Sequence, residues 1–451
     1  MYLGGPRGTG KPRVISALKE FFDQQNQSRR FCLSSYTGVA AKNIAGMTLH
    51  AALSLNQCTV LGTKGKTRRD LVAMWEGVDY LFIDKVSMIG CNFLLKISEA
   101  LTEAKQKTSA FGGMNIIFAG DFAQLPPVRA TCLFAHINIA KANTKRGQDD
   151  ILGKLLWLSV KTVVVLNQVM HQRGPKNDQF VSLLTCLHQG KCSDHDFETL
   201  NSRIVKNAKP DWQDPAWNRL PVIVSDNAVK DALNERGAKS FAQKTGRQMH
   251  WYYATDTRSG KEVTDLDLKA HFQSLHSGKT NQRLTRIPLV LGMPVMISQN
   301  FDVEAGVVNG CTGTLKRIRY RTDLEGHRHV LSCIVHAPST LGPALPYMPE
   351  QCYAVIKGTI NMKFEHPFSH KKCSFKCTQI LIIPAFSMTA HKAQGQTLDC
   401  VIIDLESCKG TEAPYVMVSQ VTSLQGLLIL RPFQKKKIQS HQSEDVRQEL
   451  K

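Results

Sequence analysis

The chain has 451 residues, enough for roughly two to four domains. Hydrophobic residues make up 42 % and charged residues 21 %, the balance of a globular protein, and no apolar run reaches the roughly 18 residues of a membrane span. The net charge of +20 favours a polyanionic partner, nucleic acid before an anionic membrane, and a generally basic surface without a specific ligand is the plain alternative.

The first segment, YLGGPRGTGKPRVISALKEFF, predicts a very short strand, a glycine turn and a helix with Val14, Ile15, Leu18, Phe21 and Phe22 near helical spacing. Met1 stands almost on the glycine turn, so no signal peptide is expected. RFCLSSYTGVAAKNIAG predicts a second strand and turn. Tyr80–Asp84 is an apolar run ending in a carboxylate, as in a buried parallel strand. GGMNIIFAGDFAQLPPV repeats that pattern, ending in Gly120 and Asp121. Strands that end in polar residues and alternate with helices imply an α/β sheet with ligands at the strand carboxyl ends.

VKTVVVLNQVMHQ and LPVIVSDNAVKDALNERGAKSFA continue the strand-to-helix pattern from about residue 162. Residues 288–384, rich in Val, Ile, Thr, Gly and Pro, predict a small β barrel inserted in an α/β domain. SMTAHKAQGQTLDCVIIDL returns to the α/β pattern, and 434–451 reads as a polar tail without order of its own. The 13 cysteines are scattered, as suits reduced thiols, and Cys373 and Cys377 lack the paired spacing of a zinc site.

The chemistry concentrates in GGPRGTGKP. Gly5, Gly8 and Gly10 let the backbone curl so that its N–H groups, that of Thr9 included, face phosphates. Lys11 adds a point charge, and the helix that follows adds its positive end. A tight strand-to-helix turn would use the same glycines, but two later features favour the phosphate loop. Asp84 ends a strand where a metal-associated carboxylate is expected, and Gln124 follows Gly-Asp where a residue could sense a terminal phosphate.

With these residues in hand, the sequence resembles the PIF-type DNA helicases of superfamily one, close to the helicases of Helitron transposons. GGPRGTGK, TGVAAKNIAGMTLH, FIDKVSMIG, GDFAQLPPV, NFDVEAGVVNGCTGTL, AHKAQGQTLD and VSQVTSLQGLLIL occur in the family's order and span about residues 2–433. The resemblance implies two RecA-like P-loop domains with a small SH3-like β domain inserted in the second. The first would cover 1–161, with a small basic hairpin at about 53–72; the second, 162–287 and 385–433; the insertion, 288–384. It implies ATP hydrolysis with Mg2+, 5′-to-3′ stepping on single-stranded DNA and unwinding of duplex junctions in replication, repair or recombination. The phosphate-binding lysine maps to Lys11, the metal-associated Asp to Asp84 and the γ-phosphate-sensing Gln to Gln124. The family's adenine-contacting glutamine, before the loop, has no counterpart in this sequence.

Four positions depart from the family pattern, all where ATP chemistry is done. Pro12 replaces the Ser or Thr that coordinates magnesium; a proline fits the first helical turn but brings neither hydroxyl nor N–H. Lys85 replaces the Glu that would help activate water, and it is placed to pair with Asp84. His171 and Gln420 stand where the family has arginines that reach the terminal phosphate. An arginine finger is worth about 10³–10⁵ in turnover, and such losses do not simply multiply.

The DNA-contacting positions are kept better. Thr37, Gly38, Thr48 and His50 match the motif that touches the DNA backbone, and small hydroxyl and glycine groups suit phosphate contacts. Lys64, Lys66, Arg68 and Arg69 fit the basic hairpin, or equally a solvated basic loop. Asn309 and Gly310 read as a turn of the inserted barrel, Lys316–Arg321 as a strand with its basic side chains on one face. His391 and Lys392 match a motif that touches both DNA and nucleotide.

Three functions therefore stand at this point: an ATP-dependent helicase, a non-catalytic single-stranded DNA-binding remnant from a transposon, and a scaffold gated by ATP without hydrolysis. The resemblance implies an intracellular protein of the nucleus or the mitochondrion.

Overall fold

A computed structural model describes residues 1–451 except 56–67, 138–139, 141, 169–176, 218–219, 303–304, 341–347, 366–371 and 451. The chain divides into two compact units. One holds the described residues of 1–57, 63–217 and 393–451, the other those of 218–392. The segments 162–217 and 393–433 thus pack with the first unit.

The first unit is built on a six-stranded, all-parallel sheet. Its strands are β1 (Tyr2–Gly4), β2 (Phe31–Ser35), β3 (Met47–Thr48), β4 (Tyr80–Asp84), β5 (Asn115–Ala119) and β6 (Val163–Val165), in the order β3-β2-β4-β5-β1-β6. Successive side chains serve opposite faces, as the two-residue period requires. Tyr2, Leu81, Ile83, Ile116 and Phe118 enter one core with Trp75, Leu94 and Trp157. Leu3, Phe82 and Ala119 enter another with Ile15, Leu33 and Ile44. Both faces are covered, so the strands read as apolar runs without alternation, as expected for Tyr80–Asp84.

All six strands run the same way, so β1, β2, β4 and β5 end at one edge of the sheet. Gly5, Tyr36, Lys85 and Gly120 follow directly from those ends. The first unit also contains a parallel pair of strands near its end, Val401–Ile403 and Leu427–Ile429.

In the second unit, Val222–Val224 and Ser387–Thr389 pair in parallel. The helix Asn227–Thr245 is tied to them by Asn234, whose Nδ2 donates to Ser387 O at 3.2 Å and whose Oδ1 accepts from Ser387 N–H at 2.7 Å. Residues 250–384 form a ten-stranded, largely antiparallel sheet. It begins at His250–Tyr253 and Thr255–Arg258, well before residue 288, where the sequence reading opens the β insertion. Tyr252 is buried against Ile287 of the paired strand, and nothing in its own neighbourhood announces that partner.

Two further expectations are corrected. The basic run Lys316–Arg321 does lie on a strand, Thr312–Thr322, but its register shifts between Leu315 and Arg317 and again between Arg319 and Tyr320. Such bulges break strict alternation, so the basic side chains are not confined to one face. The 434–451 segment is not without order: it forms helices Lys436–Gln439 and Glu444–Glu449, with Ile438 and Val446 buried. Ser443 caps the last helix by accepting from Val446 N–H, and Glu449 Oε1 accepts from Trp157 Nε1 at 3.0 Å.

Trp157 is 5 % exposed and has ring contacts to Tyr2, Phe118 and Phe122 at 5.4–5.6 Å. Trp157→Ala is expected to cost about 3–5 kcal/mol of stability, the range for a truncated core aromatic. Urea unfolding followed by circular dichroism checks this, and a midpoint unchanged from the parent would contradict the packing.

Candidate functional site

The glycine loop turns between β1 and the helix Lys11–Gln24 as the sequence predicts. Gly5, Gly8 and Gly10 all have positive φ, at 142°, 84° and 88°. At Gly5 the demand is steric as well, because a Cβ there would lie 2.4 Å from Leu166 O. The helix starts at Lys11 with Pro12 in its first turn, where the missing N–H has no helical partner to lose. Thr9 is buried, and its hydroxyl donates to Pro6 O at 2.8 Å.

Lys11 is buried, and its Nζ donates to Gly5 O at 2.6 Å and Pro6 O at 2.8 Å. Burial pushes its ammonium down to about 8; Lys85 and Arg7 act in the same direction, Asp121 and Asp84 against it. The lysine folds back on the loop that would hold the phosphates.

The centre of the site is Asp121, only 2 % exposed, at the turn after β5. Its Oδ1 lies 3.0 Å from His188 Nε2 and accepts from Ala123 N–H at 3.0 Å. Its Oδ2 accepts from Gln124 Nε2 and from Tyr415 Oη, each at 3.3 Å. Burial by itself would raise this carboxyl. The His188 ring, the Lys11 ammonium and the Ala123 N–H outweigh that effect and hold it below the usual carboxylate range. Gln124 is buried as well, and its Oε1 accepts from Gln394 Nε2 at 2.9 Å. The Gln394 Oε1 is buried and has no hydrogen-bond partner among the described residues.

Arg7 sits in the loop, and its side chain meets residues 396, 397 and 420. Its N–H donates to Tyr415 Oη at 2.9 Å. Its guanidinium donates to Gln420 Oε1, to Gln396 O and, at 3.4 Å, to Thr397 Oγ1. Burial lowers it to about 10. Gln420 is 1 % exposed, its own Nε2 donating to Val416 O at 2.7 Å.

Asp84 ends β4 beside the loop, and Lys85 follows with φ 64°, uncommon for a residue with a Cβ. No ion pair joins Lys85 to Asp84 among the described residues, so the pairing expected from the sequence is not formed. His171 lies outside the described residues, as do Lys64 and Lys66. Arg68 and Arg69 open the helix Arg68–Trp75, which takes the place of the end of the expected hairpin.

Magnesium at a phosphate site is held through one or two carboxylates, with water and substrate phosphate completing its shell. The residues here offer the Asp84 carboxylate, a proline ring where a hydroxyl is required, and an ammonium next in sequence. The Asp121 oxygens are already engaged by four protein partners. The chain itself would offer a magnesium the Asp84 carboxylate and no hydroxyl at position 12, the rest of the shell falling to water and phosphate. Gly5, Pro6, Arg7 and Asp121 line a cavity of about 620 Å³, and the Arg7 and Lys11 charges are close enough to act on each other.

The DNA-contact candidates fall into two groups. In the first unit Thr37 and Thr48 cap short helices, their Oγ1 atoms accepting from Ala40 N–H and Ala51 N–H at 3.3 Å each. Gly38 is buried at the start of the first of these helices. His50 stacks on Phe93 with centroids 4.9 Å apart and meets Tyr36 edge-on at 6.0 Å, and burial lowers its pKa. In the second unit Lys392 Nζ donates to Asn309 Oδ1. Burial, then Lys230 and Arg283, push Lys392 down to about 7; burial and Lys392 lower His391.

Of the residues singled out from sequence, the structure brings together the loop, Asp84, Lys85, Gln124 and Gln420, and separately Asn309 with Lys392. It adds Arg7, Asp121, His188, Gln394 and Tyr415 as site residues. Arg7 was legible as a second large basic side chain, beside Lys11, among the small residues of the loop. His188 and Tyr415, 67 and 294 residues from Asp121, carry no local signal.

Residues 1–198 match the family described as PIF1-like helicase. The chain is 27 % identical over 441 residues to the ATP-dependent DNA helicase PIF1 of Xenopus laevis and 26 % identical over 442 residues to that of Homo sapiens. Each match covers 95 % of this chain and 58 % of the relative, so the chain spans little more than half the length of these proteins. In fold it is similar to the Pif1 helicase of Candida albicans, with a TM-score of 0.66 at 20 % identity over 100 % of this chain and 94 % of that one. It is also similar to a Bacteroides Pif1 solved with ADP-AlF3 and single-stranded DNA, with a TM-score of 0.65 at 19 % identity over 97 % and 89 %. The likeness supports the α/β, RecA-like fold expected from sequence.

The depressed Asp121 carboxyl has a stability consequence. It contributes stability that is fully present above the ordinary carboxylate pKa of about 3.9 and is lost as pH falls through its lower folded value. Asp121→Asn is expected to cost about 1.5–3 kcal/mol near pH 7, the range for hydrogen bonds to a charged group. The gap to the parent should narrow below about pH 4. Denaturant titrations at pH 7 and pH 3.5 check both, and a gap that widens in acid would contradict the assignment.

Proposed function

We propose that this chain, a relative of the PIF1-like helicases, is a helicase-type domain that binds ATP and single-stranded DNA and hydrolyses ATP poorly. The observation that carries the reading is the contrast at one sheet edge. The loop, Lys11, Asp84, Asp121 and Gln124 are assembled there, while the groups that would drive hydrolysis are exchanged at Pro12, Lys85 and Gln420. His171 adds a fourth exchange in sequence.

The chain's own groups suffice for binding. Loop N–H groups, Lys11 and the helix start would hold the phosphates, with Lys11 leaving the Gly5 and Pro6 carbonyls for them. ATP would bring the phosphoanhydride and the charge that these cations lack. For hydrolysis the chain lacks a general base after Asp84, since a protonated ammonium cannot take a proton from water. It also has an amide at 420, which cannot offer a charged fork to the leaving phosphate. Losing one arginine finger alone would bring a turnover of about 10 per second to below one per minute.

DNA binding is supported by the net charge of +20, by the His50–Phe93 stack and by the relatives, among them the Bacteroides Pif1 solved with single-stranded DNA. Unwinding from 5′ to 3′, at junctions met in replication, repair or recombination, is the activity of the fully active reading. The DNA-binding remnant of a transposon helicase is the reading that the exchanged residues favour. Either role belongs inside the cell where DNA is, in the nucleus or the mitochondrion.

Two measurements test the proposal. In an ATPase assay with single-stranded DNA and magnesium, turnover is expected to stay below about one per minute. Turnover of several per second that Lys11→Ala abolishes would restore the active helicase. In a binding titration with labelled oligonucleotide, log affinity should fall linearly with log salt, by about 0.7 per phosphate neutralised. Affinity that does not respond to salt would remove the DNA-binding half of the reading.

A further inference from the structure

The guanidinium of Arg7 is the least explained charge in the first unit. It is partly buried, and all its hydrogen-bond partners are neutral: the Gln420 amide, the Gln396 carbonyl and the Thr397 hydroxyl. Lys11, four residues on, is in the same position, with two backbone carbonyls as its partners. Among the described residues no carboxylate forms an ion pair with either cation. Asp121, the carboxylate that acts most on Lys11, is engaged by His188, Tyr415, Gln124 and the Ala123 N–H. A desolvated cation without a counter-charge is costly unless an anion arrives. Two of them on one glycine loop make a receptor for a highly charged anion.

The seat of Arg7 is specific. Gln420 is buried and oriented by Val416 O, so its Oε1 is presented to the guanidinium, and the Gln396 carbonyl receives the second nitrogen. These acceptors fix the plane of the fork and leave its charge unneutralised. The Arg7 N–H is tied to Tyr415, whose hydroxyl donates to Asp121. Backbone and side chain of Arg7 are therefore both fixed against the position where an arginine is missing.

We infer that Arg7 supplies, from the phosphate loop itself, the planar cation that position 420 lacks, and that it grips the terminal phosphate of a bound nucleoside triphosphate. The assignment rests on the nucleotide-binding reading above and makes it more specific. Arg7 binds phosphate charge; Gln420, Gln396 and Tyr415 position it. An arginine is suited to this because it keeps its charge in a desolvated site, and of its five N–H donors three are engaged by these neutral acceptors.

The test is nucleotide affinity by fluorescence titration with ATP and ADP, on the parent, Arg7→Ala and Arg7→Lys, with thermal midpoints to verify folding. The parent should prefer ATP. Arg7→Ala should lose about tenfold or more in ATP affinity, the size of one charge-assisted phosphate contact, and less than about threefold for ADP. Arg7→Lys keeps the charge without the fork and should fall between the two. If Arg7→Ala is not folded, Arg7→Lys decides: an ATP-to-ADP ratio equal to the parent's overturns the inference. Equal losses for ATP and ADP overturn the terminal-phosphate assignment. A parent that binds ATP, with both variants unchanged, overturns the role of Arg7 and leaves the nucleotide site standing. A parent that binds neither nucleotide overturns both.

Discussion

A buried carboxylate has to be kept charged, and the first unit is arranged around that requirement at Asp121. Taking a carboxylate out of water costs several kcal/mol unless hydrogen bonds and opposite charge replace the lost solvent. Here the replacements come from four places in the chain: the next turn, through Ala123 and Gln124; the helix Asp178–Gln189, through His188; the helix Glu412–Val418, through Tyr415; and the Lys11 ammonium at longer range. One acidic group thus joins the end of β5, the phosphate loop and two helices that the sequence keeps far apart.

That arrangement accounts for the state of the loop. Arg7 and Lys11 are held near one another by glycines whose backbone a substituted residue would strain, and each is satisfied by neutral oxygen atoms. The charge they carry is left for a ligand. The same loop in a protein that had abandoned phosphate binding would be under no constraint to keep two cations desolvated, because burying them is unfavourable without an anion to receive. These electrostatics are what the proposed phosphate binding requires.

How much of this was legible in the sequence depends on the range of the interaction. Strand β4 was legible because both its faces are buried, so Tyr80–Asp84 reads as an apolar run with a polar end. The helix after the loop was legible from its spacing and from glycine and proline at its start, which act locally. The Asp121 network was not, since its partners at 188 and 415 meet it only through packing. The bulges in Thr312–Thr322 were invisible too, because alternation of Lys, Arg and Ile looks the same whether or not one residue is extra. The ordered 434–451 segment was missed because two buried residues, Ile438 and Val446, do not raise the apolar content of a polar stretch. Thr37 and Thr48, picked out from the sequence for DNA contact, each use the hydroxyl to accept a helix-capping bond, a role the sequence reading did not give them.

The exchanged residues can be accommodated without loss of the fold for a reason visible at each described position. Pro12 stands in the one turn of a helix where an N–H has no helical acceptor. Lys85 contributes its backbone, whose carbonyl accepts from Met88 N–H at 3.0 Å, while its side chain forms no ion pair among the described residues. Gln420 retains a buried amide that satisfies Val416 O and holds Arg7. None of these side chains is bonded to Asp121, so the carboxylate that organises the unit is indifferent to them. Hydrolysis depends on groups aimed at the ligand, and folding depends on groups aimed at Asp121 and the two cores. Because the two sets overlap so little here, the reaction can be lost residue by residue while the glycine loop keeps its shape.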